Sequence, residues 1–187
     1  MGQDRNRVCP VGCAWGLEIG LRRWLQNPRK ILAPYVSAGM TVLDIGCGTG
    51  FFSIEMARLV GPTGRVIAAD LQEGMLEKVR QKTAGTELES RMVLHRCAAD
   101  RLGVAGPVDF ALAFYMVHEV PDPAGLFREL ATLLRPGGKI LIVEPAFHVT
   151  GSEFAATLEI ARAAGFAAEH GPRLLLSRAA ILKNLAP

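Results

Sequence analysis

A regular alternation of short apolar runs with amphipathic segments, beginning at residue 41, limits the possible folds of this chain more than any other feature. The apolar runs predict strands over residues 41–45, 65–69, 92–97, 108–113 and 139–143. Apolar residues at helical spacing predict helices over residues 51–60, 73–82 and 123–134, the last closed by Pro136-Gly137-Gly138. Strands that alternate with helices in this way indicate a parallel sheet with helices on both faces.

The pattern changes after the fifth predicted strand. A helix is predicted over residues 152–164 and ends at Gly165, and two strands follow over residues 166–169 and 177–183. Because only a short turn joins these two strands, they are expected to be antiparallel. At the other end of the chain, residues 17–36 are predicted to be helical with interruptions at Pro28 and Pro34. We therefore expect an N-terminal helical segment over residues 1–36 and an α/β domain over residues 37–187.

Length and composition fit one globular α/β domain, since 50% of the 187 residues are apolar and 21% are charged. No apolar run is long enough for a membrane span, and no secretory leader is recognisable, so we expect a cytoplasmic location with reduced cysteines. The net charge of +3 comes mainly from cations in residues 1–30. These cations are scattered without interleaved aromatic residues, which favours a solvated surface over nucleic-acid binding.

The strongest local motif runs from Asp44 through Gly46, Gly48 and Gly50, where a buried strand ends in a glycine-rich turn and a helix begins. Such a turn lets a ligand touch bare backbone at a helix N-terminus. A dinucleotide site uses the spacing G-x-G-x-x-G for a pyrophosphate, whereas the spacing here is G-x-G-x-G. The Asp44 carboxylate would repel a pyrophosphate but attract a ligand with an ammonium and a sulfonium. S-adenosylmethionine (AdoMet) is such a ligand.

Two further acids follow predicted strands. Asp70 closes the second strand, where a carboxylate can accept hydrogen bonds from two ribose hydroxyls. AdoMet and dinucleotides share this ribose, so Asp70 does not distinguish between them. Asp100 follows the third strand and is expected either to accept from an adenine amino group or to cap a helix.

These motifs, in this order over residues 30–183, resemble the class I AdoMet-dependent methyltransferases, in the group that includes menaquinone, ubiquinone and arsenite methyltransferases. The resemblance implies a doubly wound, Rossmann-like, seven-stranded sheet of order 3-2-1-4-5-7-6 with strand 7 antiparallel. It implies that Asp70 holds the ribose, Asp100 the adenine amine, that Leu71 and Met75 flank the adenine ring, and that S-adenosylhomocysteine is the product. The candidate cofactor-binding residues are Asp44, Ile45, Gly46, Cys47, Gly48, Gly50, Phe51, Asp70, Leu71, Met75, Ala99, Asp100, Arg101 and Phe114.

The residues after the fourth strand are expected to face the methyl acceptor, because ligands in such sheets lie beyond the carboxyl ends of the strands. Tyr115, His118 and Glu119 are the candidate catalytic residues there. His118-Glu119 resembles a pair found in methyltransferases of small molecules, and His118 is either a proton acceptor or a packing residue of a turn. The segment lacks the Asn/Asp-Pro-Pro-aromatic motif of exocyclic-amine methylases, so a small-molecule acceptor is favoured.

The N-terminal segment offers two further hypotheses. Few residues separate the fifth strand from the next helix, so they cannot cover the acceptor. The cover must come either from a second subunit, as in a homodimer, or from the segment up to Val36. In the second case the aromatic residues Trp15, Trp24 and Tyr35 are expected to line the acceptor pocket. Cys9 and Cys13 form either an inert pair or a thiol site for metal or arsenic, but two cysteines are an incomplete zinc site, so no metal is assigned. Cys47 and Cys97 are expected to be packing residues.

Two rival functions remain at this point. One is an NAD(P)-dependent oxidoreductase, which Asp44 and the glycine spacing disfavour. The other is a protein that binds AdoMet without catalysis, and the sequence contains nothing that separates it from an enzyme.

Overall fold

A computed structural model describes residues 26–185 of the chain. The described part forms one seven-stranded sheet of order β3-β2-β1-β4-β5-β7-β6. Its strands are β1 Thr41–Ile45, β2 Arg65–Asp70, β3 Met92–Arg96, β4 Val108–Phe114, β5 Leu134–Pro145, β6 Phe166–His170 and β7 Ser177–Asn184. Its helices are α1 Pro28–Leu32, α2 Ser53–Val60, α3 Glu73–Thr83, α4 Pro123–Leu133 and α5 Gly151–Ala163.

The sheet is doubly wound. Strands β3, β2, β1, β4 and β5 are parallel to one another, while β7 runs antiparallel to both β5 and β6. Successive side chains of a strand face opposite sides of the sheet, so Leu43 and Ile142 pack with α4, whereas Val42 and Leu141 pack with α1 and α2. The predicted fold class, strand order and antiparallel seventh strand are confirmed.

Strand β5 begins five residues earlier than its apolar run predicts. Leu134 pairs with Val108 and Lys139 with Phe110, so residues 135–138 form a bulge between two paired positions. The Arg135 Nε lies 3.0 Å from the Asp109 Oδ1, which fastens the bulge to β4. The helix ends just before Pro136-Gly137-Gly138, as predicted, but the predicted start of the strand at residue 139 was wrong, because Leu134 already pairs with Val108.

The N-terminal segment is described from residue 26 onwards. Helix α1 begins at Pro28, a residue suited to the first helical turn, and the Asn27 side chain accepts a hydrogen bond from the Lys30 amide. The helix ends before Pro34. Cys9, Cys13, Trp15 and Trp24 lie outside the described residues, so the hypotheses about them stay predictions.

The topology brings the carboxyl ends of five parallel strands to one edge of the sheet. The ends of β1, β2, β3, β4 and β5 meet there, and β7 begins there because Ser177 pairs with Pro145. The connection from β5 to α5 comprises only residues 146–150. It ends in a capping box, in which the Thr150 and Glu153 side chains each bond the backbone of the other.

Candidate functional site

The turn after β1 contains three glycines with left-handed backbones. Their φ angles are +66° at Gly46, +53° at Gly48 and +82° at Gly50. A Cβ at Gly46 would lie 3.1 Å from the Met116 Cβ, and one at Gly50 would lie 3.0 Å from a Val79 methyl group. A Cβ at Gly48 would have no described neighbour within 4 Å. Gly46 and Gly50 therefore permit close packing, whereas Gly48 borders open space that a ligand can enter.

Asp44 lies beneath this turn rather than in the open space. Its side chain is 2% exposed, and the Ser53 hydroxyl donates to its Oδ2 over 2.5 Å. Ser53 is the first residue of α2, so the carboxylate links the end of β1 to the start of the helix. Direct contact between Asp44 and a cationic ligand stays a prediction.

Asp70 connects the end of β2 to the glycine turn. Its Oδ2 accepts from the Gly48 amide over 2.9 Å, and its Oδ1 accepts from the Gln72 amide over 2.8 Å. A second hydrogen bond connects the glycine turn to α3, because the Lys82 ammonium donates to the Thr49 carbonyl over 2.6 Å. Sequence reasoning had assigned Asp70 to a ligand alone and missed its bond to the turn. Each carboxylate oxygen accepts more than one hydrogen bond, so Asp70 retains the capacity to bind a ribose as well.

The remaining cofactor candidates lie around Asp70. Leu71 is 39% exposed, while Met75 is buried. The loop after β3 is held next to Asp70 by a hydrogen bond of 3.0 Å from the Cys97 amide to the Asp70 carbonyl. Ala99, Asp100 and Arg101 are exposed on that loop. No helix follows Asp100 before β4, so the alternative of a helix cap was wrong. A role of Asp100 toward adenine stays a prediction.

Both described thiols are poorly ionised. Burial, followed by the nearby Asp44 and Asp70 carboxylates, raises the pKa of Cys47 far above its ordinary value. Burial, followed by Asp70 and Glu129, raises the pKa of Cys97 to about 11. Cys47 is buried in the turn and Cys97 directly follows β3. Neither thiol is suited to nucleophilic chemistry at neutral pH.

An aromatic cluster forms the wall after β4. The Phe114 ring lies 4.4 Å from Phe52 and 4.5 Å from Tyr115, measured between centroids. Tyr115 has a φ of +60°, an unfavourable backbone conformation for a residue with a large side chain. Its hydroxyl lies 2.5 Å from the Ser177 hydroxyl and accepts from the Gln26 amide group over 2.8 Å. Tyr115 thus joins three chain segments at this edge of the sheet, and a catalytic role for it stays a prediction.

His118 lies in a single 3₁₀ turn, Val117–Glu119, just beyond β4. Its Nδ1 is 2.5 Å from the Glu144 Oε2, and its backbone amide donates to the Glu144 Oε1 over 3.2 Å. The carboxylate that holds His118 is therefore Glu144 rather than the adjacent Glu119. Sequence reasoning missed Glu144, although a single acid at the end of the apolar run 140–143 was a usable signal.

Glu119 completes a group of acids and histidines at this edge. Burial raises the pKa of Glu119, the charges of Glu144 and Asp70 raise it further, and His118 and His148 oppose the rise. The rings of His118 and His148 are stacked with centroids 6.1 Å apart. Among the described residues, no group of three or more His, Cys, Asp or Glu side chains is arranged to hold a metal ion.

An apolar rim borders the histidines. We give this name to Phe147, Leu175 and Leu176, whose side chains are at least 61% exposed. The turn after β5 and the turn before β7 are joined by a bond from the Ala146 amide to the Leu176 carbonyl of 2.9 Å. The apolar rim lies next to Tyr115, because the Tyr115 hydroxyl contacts Ser177, the residue directly after Leu176. Within residues 26–185, no helix is long and apolar enough to cross a membrane.

Comparison with known proteins agrees with this geometry. Residues 36–167 match the family model described as "Methyltransferase domain". The chain is 33% identical over 123 residues to a demethylmenaquinone methyltransferase of Oceanobacillus iheyensis, covering 66% of this chain and 51% of that protein. It is 30% identical over 122 residues to the Listeria monocytogenes enzyme of the same name, covering 65% and 51%. A crystal structure of a SAM-dependent methyltransferase from Aquifex aeolicus superposes with a TM-score of 0.77 and 25% identity, covering 89% of this chain and 94% of that one.

The chain therefore belongs to the methyltransferase-domain family, within the class I AdoMet-dependent methyltransferases, and its domain is that of an enzyme. The predicted family is confirmed. The chain spans about half the length of the curated relatives it matches.

Proposed function

We propose that this protein transfers a methyl group from AdoMet to a small aromatic acceptor of the quinone type. The observation that carries the proposal is the open space at Gly48, next to a carboxylate at the end of β2. A glycine without a side chain and a buried acid, at the carboxyl ends of parallel strands, form the binding place that this kind of sheet offers.

The residues present fit the cofactor. Gly48 leaves room for the methionine part, Asp70 accepts from the ribose hydroxyls, and the exposed Leu71 offers an apolar face to the adenine. The buried Asp44 and Asp70 carboxylates give this edge a negative charge that suits an ammonium and a sulfonium. When bound, AdoMet supplies an electrophilic methyl group on a good leaving group. The chain has to orient the acceptor and exclude water, and such positioning accounts for much of the rate.

The acceptor side supports an apolar, aromatic partner. The Phe114 and Tyr115 rings adjoin the glycine turn through Phe52 and Met116, and the apolar rim extends the surface outward. A flat ring that carries an apolar substituent matches this combination of aromatic wall and apolar rim. The relatives named as demethylmenaquinone methyltransferases support the same class of acceptor.

The cover of the acceptor stays part of this proposal. The connection of five residues between β5 and α5 is too short to close the site, so the cover is expected from residues 1–36 or from a second subunit. Gln26, the first described residue, contacts Tyr115 at the site, which supports the N-terminal segment as the cover.

Isothermal titration with AdoMet and NADH, followed by an assay for S-adenosylhomocysteine, tests the proposal. AdoMet should bind and NADH should not, and a short-tailed demethylmenaquinol should stimulate product formation. The variant Asp70→Asn should weaken AdoMet binding at least about tenfold through loss of a charge-assisted hydrogen bond, worth about 1.5 to 3 kcal/mol. The matched control is Asp109→Asn, since Asp109 also accepts from a backbone amide, that of Thr41 over 2.8 Å, but at the opposite edge of the sheet. Equal affinities of the two variants for AdoMet would refute the site.

A further inference from the structure

Glu144 is a buried carboxylate for which the cofactor site provides no role. Its side chain is 2% exposed at the end of β5, and both of its oxygens contact His118. Burial of an ionised carboxylate is costly unless hydrogen bonds and a partner compensate for it. A chain that only needed to pack the end of β5 would be served better by another apolar residue, like those at positions 140–143.

The two contacts determine which way the His118 ring faces and where its proton lies. One carboxylate oxygen accepts from the backbone amide of His118, so the other oxygen meets Nδ1 at 2.5 Å. A carboxylate accepts hydrogen bonds and does not donate them, so Nδ1 must carry a proton. In the neutral imidazole the lone pair then resides on Nε2, at the edge of the ring that points away from Glu144. A quarter of the His118 side chain is exposed, so the ring is not sealed beneath the surface.

The charges around the ring are mixed. Glu119 is on the same turn, Glu144 is on β5, His148 is on the turn after β5, and Asp70 at the end of β2 is close enough to affect Glu119. Three carboxylates and one further histidine therefore share this edge of the sheet. An imidazolium at His118 would be stabilised here by its contact with Glu144.

We propose that Glu144 is a positioning residue that holds His118 as the Nδ1-protonated tautomer, so that Nε2 removes a proton from the methyl acceptor. This inference rests on the proposed function and narrows it to acceptors that lose a proton, such as a phenol or a hydroquinone. The bond between methyl and sulfur breaks as the bond between methyl and acceptor forms. The acceptor's proton passes to Nε2, and the resulting imidazolium is stabilised by the Glu144 carboxylate.

The substitution Glu144→Gln isolates this role. An amide presents one acceptor and one donor, so if its oxygen stays on the His118 amide, its NH₂ group faces Nδ1. Nδ1 must then accept a hydrogen bond, and the proton moves to Nε2, which abolishes the base. Glu129→Gln is the matched control, because Glu129 also accepts two backbone amides, but those of Leu102 and Gly103 in the loop between β3 and β4.

Nitrogen NMR of the imidazole rings reads the tautomer directly, with the His118 signals assigned by their loss in His118→Asn. The wild type at alkaline pH should show a protonated Nδ1 and an unprotonated Nε2, Glu144→Gln should show the reverse, and Glu129→Gln should match the wild type. If Glu144→Gln does not fold, Glu144→Asp takes its place and should leave Nδ1 protonated only in part. An Nε2-protonated wild type, or a tautomer unaffected by Glu144, would overturn the inference.

A kinetic arm with short-tailed demethylmenaquinol separates this inference from the proposed function. Glu144→Gln should lower kcat/KM about 100-fold or more, the usual contribution of a general base, and should lose the acidic limb of the pH profile. Its affinity for AdoMet should stay within about threefold of wild type, since Glu144 does not touch the glycine turn. Loss of AdoMet binding by the wild type would refute the proposed function. Unchanged kcat/KM with an unchanged pH profile would refute the role of Glu144.

Discussion

A methyl group placed at Gly48 should block the cofactor while leaving the fold in place. Gly48 has a φ of +53°, and no atom of residues 26–185 lies within 4 Å of an added Cβ, so Gly48→Ala introduces backbone strain but no clash with the described residues. A left-handed conformation costs an L-residue about 1 to 2 kcal/mol. In a chain of this length, that cost lowers Tm by roughly 2 to 8 °C.

The same cost can be produced elsewhere as a control. Gly85, in the turn after α3, has a φ of +69° and equally open surroundings, so Gly85→Ala should lower Tm by a similar amount. Only at position 48 does the new methyl group occupy the proposed ligand space. There the ligand should be displaced from at least one charge-assisted hydrogen bond, which raises its Kd about 10- to 150-fold.

Thermal unfolding and isothermal titration with AdoMet measure the two effects separately. Gly48→Ala and Gly85→Ala should have similar Tm values, and only Gly48→Ala should bind AdoMet weakly. The reasoning is refuted if Gly48→Ala binds AdoMet as the wild type does, because the open space would then not be the cofactor site. Equal weakening in both variants would mean that strain alone, and not occupancy, reduces the affinity.

Two further predictions follow from ionisable groups at the site. Burial, followed by the Glu144 and Asp70 charges, raises the pKa of Glu119 above 4.5, so the folded state binds more protons than the unfolded state between 4.5 and the raised pKa. The free energy of unfolding therefore falls as pH rises through this window, and the variant Glu119→Gln should not show this fall. Urea denaturation of both proteins at several pH values measures the effect. A difference between variant and wild type that does not change with pH would contradict the prediction. Because the pKa of Cys97 is about 11, its thiolate fraction at pH 8 is roughly 100-fold below that of a thiol of pKa 9.0, and iodoacetamide should label it correspondingly slowly in the native protein. Peptide-resolved mass spectrometry before and after unfolding measures the rate, and equal rates in the two states would count against the burial of this thiol.

The fold was predictable because its signals are local. Local sequence alone predicts the conformation of several segments: the apolar runs at residues 41–45 and 108–113, and the glycine turn between Asp44 and Gly50. The start of β5 was not predictable, because Leu134 joins the sheet through its pairing with Val108, and no pattern near Leu134 indicates this pairing. Strand pairing joins residues distant in sequence, so Pro136-Gly137-Gly138 indicated the end of the helix but not the start of the strand.

The site was predictable to a similar degree. Asp70 and Gly48 were identified from the positions where strands end, but the bond between them depends on the spacing of β1 and β2 in space. Glu144 was overlooked because its partner, His118, lies 26 residues away on a different strand end. A helix after Asp100 was offered as an alternative because capping residues are common in loops, and nothing in residues 101–107 has the apolar spacing that a helix requires.

The acids at the strand ends bear on how such a protein would exchange its ligands. Asp44, Asp70, Glu119 and Glu144 gather at one edge of the sheet, although the whole chain has a net charge of +3. A local negative field in a cationic protein draws a positively charged ligand toward that edge, and the attraction weakens as salt is added. On the proposed function, the sulfonium becomes a neutral thioether at the moment of transfer. The negative field therefore attracts the product, S-adenosylhomocysteine, less strongly than it attracts AdoMet, which carries one more positive charge. The product should leave more easily, and a new AdoMet molecule should replace it.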